Sequence, residues 1–331
     1  MNHVCWWTGV ASRGHLPYGV SWLRELLRRD PGDVELRLFP ARSFHRREAI
    51  PPAAVEALLD DPRVTVVPAA DAGPVPKQAR LWLLSTGAVG IKPWLRLKRR
   101  HPTRPLTVVV TDEGLGTYGD RDSRHRALRR EGVREPWATV RAGAVHAATR
   151  TLTSMRWPLH VEGDDGWGLN RPVAEEFRRH APEPDRSSER VVFLSQPWPE
   201  SGVMSEERYL DHVEEVARAT TLAGLDFVVL PHPGEPPGRH AAHAPATDGE
   251  PALAEWNPLA LGARVVVGAS STAMVNLAAL HGVPAVRVGT PELTRLDLEL
   301  APRQASLLAH YAAPSLAPAE FGRRLSQGFG R

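Results

Sequence analysis

Short apolar segments alternate with segments of helical period twice along the chain, and this alternation is the strongest constraint on the fold. In the first half, the runs typical of strands are 2–7, 34–39, 64–67, 81–84, 106–110 and 151–155. The helical patterns between them are 18–29, 53–59 and 94–100. In the second half, the strand patterns are 191–194, 227–230, 265–267 and 285–288, and the helical patterns are 206–222 and 272–281. Strands separated by helices pair in parallel through right-handed crossovers, so each half predicts a doubly wound α/β sheet.

A polar, proline-containing segment without periodicity separates the two halves. It predicts an N-terminal Rossmann-like domain at 1–180, a linker at 181–190 and a C-terminal Rossmann-like domain at 191–331. The last helix is a candidate to pack back on the N-terminal domain. We expect the two domains to face an interdomain cleft. Ligands of open α/β sheets bind beyond the carboxyl ends of the strands, so the residues that follow each strand are the candidates for a site.

Composition excludes several classes of protein. The 331 residues are 42% hydrophobic, which is ample for two packed cores. No apolar run approaches the ~18 residues of a membrane helix, and the first residues lack the layout of a secretory signal. We therefore expect a cytoplasmic protein. The single cysteine, Cys5, excludes an internal disulfide and a multi-cysteine metal site.

The charges are nearly balanced and interspersed, with 41 basic and 38 acidic residues. Only three of the basic residues are lysine, which is typical of a GC-rich genome and makes the arginine content weak evidence for phosphate binding. The basic runs at 96–104 and 121–130 are interpreted as solvated helix faces. We expect no nucleic-acid partner, and peripheral contact with a membrane stays open.

An acidic pair follows the strand pattern at 106–110. Asp112 and Glu113 come directly before Gly114, at the end of an apolar run. Two neighbouring carboxylates at a strand end form a site where one acid can serve as a general base. The alternative is a polar turn that merely ends the strand. A second pair, Asp164-Asp165, follows no clear strand and is interpreted as a loop.

Two motifs in the second half contain residues that are suited to contact a phosphate. His232 lies between Pro231 and Pro233, after the strand pattern at 227–230. Proline holds the chain extended, which suits a histidine that must contact a phosphate or donate a proton in a set direction. Ser270, Ser271 and Thr272 open a predicted helix, where hydroxyl groups and backbone N–H groups can bind an anion. The alternatives are a rigid surface loop and a simple helix N-cap.

The order and setting of these motifs resemble those of bacterial sialyltransferases and polysialyltransferases. That superfamily has an acidic-acidic-glycine motif, a histidine-proline motif and a serine motif, matched here by Asp112-Glu113-Gly114, His232-Pro233 and Ser270-Ser271. The resemblance covers about 106–289. Ser195-Gln196-Pro197 is similar to a Gly-Gln-Pro of the family, and Glu255 matches a glutamate that precedes the serine motif.

The sequence departs from the family pattern at two positions. A basic residue often precedes the family's histidine by two positions, but Leu230 stands there, and the residue after Pro233 is Gly234.

The resemblance implies a GT-B architecture and an inverting, metal-independent transfer of a sialic acid or related nonulosonate from a CMP-sugar to an acceptor hydroxyl. It implies that Glu113 is the general base and that Asp112 orients it or holds the local backbone. His232 then contacts the donor phosphate and helps CMP leave, while Ser270 and Ser271 hydrogen-bond that phosphate. No cofactor or metal is expected.

Further donor contacts follow from the same resemblance. Glu255 is expected to bind the ribose, and Gln196 is expected to shape the domain junction. Gly114, Pro233 and Thr272 complete the expected donor-binding set.

The acceptor side has only weak candidates. Trp7, His15 and Tyr18 cluster around the first strand and the loop after it, where aromatic faces can stack on a sugar. The acceptor can be a glycan, a lipid-linked saccharide or a small metabolite. Two alternatives to the function itself stay open: a GT-B transferase or epimerase with a CDP- or UDP-linked donor, and a non-catalytic nucleotide- or glycan-binding relative.

Overall fold

The computed structural model of the chain describes residues 2–39, 50–185, 187–245 and 253–327. The chain divides into two compact units. The first unit consists of Met1–His125 and Arg134–Arg179, and the second unit consists of Arg126–Val133 and His180–Arg331. Each unit has its own parallel sheet, as the alternating pattern predicts.

The first unit contains a six-stranded parallel sheet of order β3-β2-β1-β4-β5-β6. Its strands are β1 (His3–Thr8), β2 (Val34–Leu38), β3 (Val64–Pro68), β4 (Arg80–Thr86), β5 (Leu106–Thr111) and β6 (Met155–Trp157). A hairpin of β7 (His160–Gly163) and β8 (Gly166–Leu169) follows, and its turn contains the second acidic pair. The order is that of a dinucleotide-binding Rossmann fold.

Helices connect the strands of this sheet, and those that bury apolar residues pack on its two faces. They are α1 (Leu16–Arg29), α2 (Pro52–Leu59), α3 (Ile91–Arg100), α4 (Arg121–Arg130, in both units), α5 (Trp137–Leu152) and α6 (Arg171–Arg179). Because both faces are covered, the central strands are apolar on both sides and read as continuous apolar runs. Alternate residues of β4 and β5 bury Leu83, Val108 and Val110 in one core, which Trp94 and Leu97 of α3 also contact.

One strand prediction in this unit is wrong in extent. The apolar segment 151–155 begins inside α5, which continues to Leu152, and the strand itself starts only at Met155. The buried positions of α5 are Ala138, Ala142 and Thr149. Such small buried side chains give a weak periodic signal, and this explains why the sequence pattern did not predict the helix.

The second unit contains a five-stranded parallel sheet of order β10-β9-β11-β12-β13. Its strands are β9 (Arg190–Leu194), β10 (Asp226–Leu230), β11 (Val265–Gly268), β12 (Ala285–Val288) and β13 (Ala313–Leu316). Its helices are α7 (Glu206–Leu222), α8 (Pro258–Leu261), α9 (Thr272–His281), α10 (Pro291–Leu298), α11 (Pro302–Tyr311) and α12 (Pro318–Gln327). This is the flavodoxin-like order of a doubly wound sheet.

The side-chain alternation of β9 builds a core on each face of the second sheet. Val191 and Phe193 lie in one core, and Val192 and Leu194 lie in the other. The period of two along a strand sends successive residues to opposite faces. Four consecutive apolar residues are therefore needed, and the sequence supplies them.

The last helix packs on a neighbour in the second unit. Phe321 and Leu325 of α12 are buried in the same core as Val213 and Val216 of α7. A Cβ atom at Gly322 would lie 3.2 Å from the Cβ of Ala219, so the two helices approach closely there. The last helix thus belongs to the second unit.

The strand orders define where ligands bind in each unit. The order reverses between β1 and β4 in the first sheet and between β9 and β11 in the second. Crevices of open α/β sheets form at these points, beyond the carboxyl ends of the strands. Within the described ranges, no helix combines the length and the apolar character needed to cross a bilayer.

Candidate functional site

The acidic loop after β5 is held by a buried carboxylate. Asp112 is 1% exposed, and its Oδ1 accepts the backbone N–H of Gly114 at 2.9 Å. Its Oδ2 accepts the Tyr118 hydroxyl and, at 3.2 Å, the backbone N–H of Leu159. Burial, together with the neighbouring Asp112, raises the pKa of Tyr118, so that hydroxyl stays protonated and donates. Asp112 therefore fixes the path of the loop.

Glu113, the next residue, has the opposite environment. It is exposed, and its backbone N–H donates to the Thr117 hydroxyl at 2.9 Å. Its carboxylate lies against two glycines. A Cβ at Gly87 would lie 2.0 Å from Oε2, and a Cβ at Gly116 would lie 2.6 Å from Oε1. Only residues without a side chain leave space for the carboxylate in this position.

Glycines with positive φ follow three neighbouring strands of the first sheet. Gly9 follows β1 with φ +83°, Gly87 follows β4 with φ +75°, and Gly114 lies after β5 with φ +111°. L-residues rarely adopt this conformation, so each turn depends on its glycine. At Gly9 a Cβ would also lie 3.1 Å from the carbonyl oxygen of Thr86. Near the switch point, the surroundings of Glu113 are therefore formed by glycine backbone and not by side chains.

Burial corrects two of the acceptor candidates. Trp7 is fully buried, and its indole N–H donates to the Thr86 hydroxyl at 3.2 Å. Tyr18 is 3% exposed and packs edge-on against Phe177, with ring centroids 5.1 Å apart. Both rings belong to the core and present no face to an acceptor. Doubly wound sheets bury both faces of the first strand, so the aromatic residues there are explained by core packing.

His15 lies at a different kind of position. It is half-buried at the end of the loop between β1 and α1, and its Nδ1 accepts the backbone N–H of Ala11 at 3.1 Å. In the neutral ring the proton is then on Nε2. His15 is the one of the three acceptor candidates whose position fits a ligand contact.

The His232 loop of the second unit is fixed by backbone hydrogen bonds. The backbone N–H of His232 donates to the Ser195 hydroxyl at 2.8 Å and to Glu235 Oε2 at 2.9 Å. The ring Nδ1 of His232 accepts the backbone N–H of Gly234 at 3.0 Å, which assigns the proton of the neutral ring to Nε2. A Cβ at Gly234 would lie 3.1 Å from that nitrogen. Gly234, a departure from the family pattern, thus allows this ring position.

Glu235 is the residue that sequence reasoning missed. It is buried and accepts hydrogen bonds from Ser195 and His240 as well as from the His232 backbone. Burial alone would raise its pKa, but the hydrogen bonds from His240, Ser195 and His232 outweigh it and lower the pKa. Arg239 lies 3.4 Å from Oε1, and its pKa is raised chiefly by its hydrogen bonds to Glu200. The carboxylate therefore stays charged and joins the loops after β9 and β10.

A signal for Glu235 was present in the sequence. It stands three residues after His232, within the same loop, and is followed by Arg239 and His240. A carboxylate followed by two basic residues at four and five positions indicates a local charged cluster. Sequence alone does not show that the cluster is buried.

The serine motif lies at the start of α9, at the same edge of the sheet. Ser271 occupies the N-cap position, but its side chain makes no capping hydrogen bond. The simple N-cap alternative therefore does not describe what this hydroxyl does. Arg287 of β12 donates to the carbonyl oxygen of Ala269 at 2.9 Å, next to Ser270. The same guanidinium is paired with Asp297, so the groups of the motif that favour an anion are its hydroxyl groups and the backbone N–H groups of the helix start.

Glu255 is bound to the same helix. It lies in a 3-10 turn at Ala254–Trp256, is largely buried, and accepts a hydrogen bond from the Asn276 side chain at 2.7 Å. Burial raises the pKa of Glu255, and the hydrogen bond from Asn276 opposes that shift. The serine motif opens α9 and Glu255 is hydrogen-bonded to the same helix, although 15 residues separate Glu255 from Ser270.

Gln196 follows β9 between the two phosphate-type motifs. Its backbone N–H donates to the Tyr209 hydroxyl at 2.9 Å, and its side-chain Oε1 is buried with no hydrogen-bond partner among the described residues. Pro233 is exposed beside His232.

The second unit brings together the loops after β10, β9 and β11, because these strands are neighbours in the sheet. The first unit brings together Asp112, Glu113 and Gly114.

Three solved structures are similar to this chain. The glycotransferase of kitacinnamycin has a TM-score of 0.51 at 14% identity, over 98% of this chain and 88% of that one. A putative UDP-N-acetylglucosamine 2-epimerase from Listeria monocytogenes has a TM-score of 0.56 at 9% identity, over 99% and 89%. A UGT transferase from Siraitia grosvenorii in complex with UDP has a TM-score of 0.51 at 13% identity, over 98% and 91%.

No protein-family model matches the chain, and no curated protein matches it significantly. The structural likeness, at such low identity, establishes the fold. The chain has a GT-B type fold with two Rossmann-like, doubly wound domains, and this confirms the fold class predicted from the sequence.

Proposed function

We propose that this chain is an inverting, metal-independent glycosyltransferase that moves a sialic acid or related nonulosonate from a CMP-sugar to an acceptor hydroxyl. One observation carries the proposal. Glu113 is an exposed carboxylate at the carboxyl end of β5, and the adjacent Asp112 takes over the task of holding the loop. A loop that needed only a structural acid would not require the second one.

Glu113 takes the proton of the acceptor hydroxyl in this mechanism. The hydroxyl oxygen attacks the anomeric carbon of the donor sugar, and the bond from that carbon to the CMP phosphate oxygen breaks. Attack from the face opposite the leaving group inverts the anomeric centre. A positioned general base contributes about 10²–10⁴ in rate.

The second unit binds and stabilises the leaving CMP. A CMP-sugar has one phosphate, and its charge rises as the glycosidic bond breaks. His232, with the proton of the neutral ring on Nε2, can donate to a phosphate oxygen, and Ser270, Ser271 and the start of α9 supply further donors. These groups can offset a single phosphate without a divalent ion. Glu255, which accepts a hydrogen bond from Asn276 of the same helix, is assigned to the ribose.

His15 is the acceptor-side residue that the structure supports best. Its ring lies in the loop at the switch point of the first sheet, where ligands of doubly wound folds bind. We assign it to an acceptor hydroxyl and leave Trp7 and Tyr18 to the core. The acceptor is a glycan, a lipid-linked saccharide or a small molecule.

A transferase or epimerase with a UDP- or CDP-linked donor is the second candidate function. The similarity to a transferase in complex with UDP and to a putative UDP-N-acetylglucosamine 2-epimerase favours it. The motifs do not, because their order and spacing resemble those of CMP-sugar enzymes. The number of phosphates on the preferred nucleotide separates the two.

Titration with nucleotides tests the proposal directly. Calorimetry and thermal unfolding with CMP, CDP and UDP compare the affinities, since a ligand of the folded state raises its stability by RT ln(1 + [L]/Kd). We expect CMP to bind most tightly, and activity with a CMP-sugar to survive chelation. Tighter binding of UDP or CDP would replace the proposal with the second candidate. Tight CMP binding without turnover on any acceptor would favour the non-catalytic alternative.

A further inference from the structure

One face of the first sheet carries a surface that the proposed reaction does not use. It is formed by α3 and α5. Both helices connect strands that follow one another outward in the order β4-β5-β6, and right-handed crossovers place such helices on the same face of the sheet. The backbone N–H of Val89, just before α3, donates to the Thr149 hydroxyl of α5 at 3.3 Å. Leu152 of α5 contacts the same core as Leu97 of α3.

The outer face of α3 is a stripe of cations. Lys92, Leu95, Arg96, Arg99 and Arg100 recur at helical spacing, so they share one side of the helix, and they line a hollow of about 360 Å³. The four cations are exposed. None of them has an ion-pair partner within the part of the chain that the structure describes.

Carboxylates are missing from both helices. Neither α3 nor α5 contains an aspartate or a glutamate, and α5 adds Arg141 and Arg150 to the positive charge. The helix α1 shows the contrast. Its Arg28 and Arg29 are just as exposed, but both pair with Glu25, at 2.8 and 2.6 Å. Unbalanced positive charge is therefore a property of the α3 and α5 layer and not of every helix in the unit.

Large apolar side chains lie on the same layer and point to solvent. Leu95 is 40% exposed within the cationic stripe of α3. On α5, Trp137 is 65% exposed and Val140 is 52% exposed, one helical turn apart. Leu95 and Val140 are aliphatic and have no hydrogen bond or stacking to offer a nucleic acid, and indole rings such as Trp137 are enriched at membrane interfaces. They do gain free energy by entering the boundary between lipid headgroups and acyl chains.

We propose that the outer faces of α3 and α5 form a docking surface for an anionic lipid bilayer. The cations neutralise phospholipid headgroups, and their long side chains extend toward the surface while Leu95, Trp137 and Val140 enter the interface. Stable but reversible anchoring needs two such signals, charge and apolar insertion, and this layer supplies both. The proposal does not depend on the donor nucleotide assigned above.

Vesicle sedimentation tests this surface with the whole 331-residue chain. The probes are vesicles of phosphatidylcholine alone and vesicles in which about one-third of the lipid is phosphatidylglycerol. We expect binding to the anionic vesicles only, and a loss of at least about tenfold in the variant Lys92→Gln, Arg96→Gln, Arg99→Gln, Arg100→Gln. Circular dichroism and CMP titration establish that this variant is folded.

A variant with the same change in net charge is the matched control. Arg28→Gln, Arg29→Gln, Arg171→Gln, Arg324→Gln removes four exposed arginines that all have carboxylate partners. We expect it to bind anionic vesicles as the native chain does. Equal losses in the two variants would show that only net charge matters and would overturn the proposal.

The apolar contribution has its own test. Trp137→Ser with Val140→Ser should weaken binding to anionic vesicles, and the variant's remaining binding should be more sensitive to salt than that of the native chain. Unchanged binding in this variant would overturn the role of α5. If a single-stranded oligonucleotide binds more tightly than the vesicles and that binding is lost in the α3 variant, the surface is a nucleic-acid site and the membrane assignment falls.

Discussion

The acidic loop of the first unit, which contains Asp112 and Glu113, and the His232 loop of the second unit have a similar arrangement of hydrogen bonds but use different residues. Each contains a buried carboxylate that accepts hydrogen bonds from the backbone of its own loop: Asp112 in the first and Glu235 in the second. Each has, close by in the same loop, the side chain proposed to react: Glu113 in the first and His232 in the second. A buried acid thus holds the loop in both.

The two scaffolds differ in the charge of their partners. Asp112 is held by backbone N–H groups and by the Tyr118 hydroxyl, all neutral donors. Glu235 lies between His240 and Arg239, and Arg239 also pairs with Glu200. A neutral shell suits the loop whose neighbour is proposed to act as a base, because a cation beside Glu113 would weaken its basicity.

The largest expected effect separates the two reactive side chains. Glu113→Gln keeps the size of the side chain but cannot accept a proton, so kcat should fall about 10²- to 10⁴-fold while CMP affinity stays nearly constant. His232→Ala removes a charge-assisted phosphate contact and should weaken both turnover and CMP binding. Calorimetry with CMP beside turnover measurements makes the comparison.

Two outcomes would break this comparison. Near-normal turnover in Glu113→Gln would assign the base to another residue. Full activity of both variants on a verified acceptor would remove the sialyltransferase-like assignment altogether.

The scaffold acid should matter for stability where the reactive acid does not. Asp112→Ala leaves the Tyr118 hydroxyl and the backbone N–H groups of Gly114 and Leu159 without their buried acceptor. We expect a loss of roughly 2–4 kcal/mol in the free energy of unfolding, measured by urea denaturation. The matched variant, Glu113→Ala, changes an exposed side chain and should stay within about 0.5 kcal/mol. Equal effects would show that the two acids do not divide the tasks.

The serine motif should affect binding alone. Ser270→Ala with Ser271→Ala removes two hydroxyls from the start of α9, and CMP affinity should fall by roughly 1–3 kcal/mol if both contact the phosphate. Because Ser271 makes no capping hydrogen bond, the stability of the free protein should hardly change. A folded double variant with native CMP affinity would reduce these serines to loop residues.

Mild acid should lower the stability of the second unit, because it contains the buried histidine His212. Burial, with a smaller effect of Arg208, lowers the pKa of His212 from 6.5 to about 4. Between these values the unfolded chain binds a proton that the folded unit does not, so the free energy of unfolding falls as the pH drops below 6.5. The expected loss is at most about 2 kcal/mol between pH 6.5 and pH 5.

A variant without the imidazole is the control for this dependence of the free energy of unfolding on pH. In His212→Leu the loss over the same pH range should shrink, whatever the stability of the variant at neutral pH. In the first unit, His3 is also buried, but the charge of Asp30, 3.5 Å away, opposes the lowering of its pKa. The second unit is therefore expected to lose stability first in mild acid, as urea denaturation at several pH values would show. A slope that is the same in His212→Leu would assign it to other groups.

The periodicity of the sequence was enough to predict the strands of the two sheets except β13, with β6 displaced toward its N-terminal side. Apolar runs such as those of β9 and β11 are local, and a strand or helix forms over the residues that carry the pattern. Short connections and right-handed crossovers then leave few topologies to choose from. The helix α5 escaped prediction because it buries alanine and threonine, whose contribution to the pattern is weak.

Motif order selected the loops for which we propose chemistry, but it did not predict which side chains are buried. Asp112 and Glu113 are neighbours of similar character in the sequence, yet one is buried and the other exposed. The difference comes from Tyr118 and Leu159, which donate to Asp112 from elsewhere in the chain. In the same way, Trp7 is buried and Trp137 is exposed, although each stands in an apolar segment.

The sequence by itself thus determined the alternation of strands and helices, the division into two α/β halves and the loops at their strand ends, because these follow from patterns within a few residues of each other. Only the tertiary structure decided that Glu235 holds the His232 loop, that Trp7 and Tyr18 belong to the core and that the exposed cations of α3 have no ion-pair partner among the described residues. Burial and hydrogen bonding depend on residues far apart in the chain, and only packing brings those residues together.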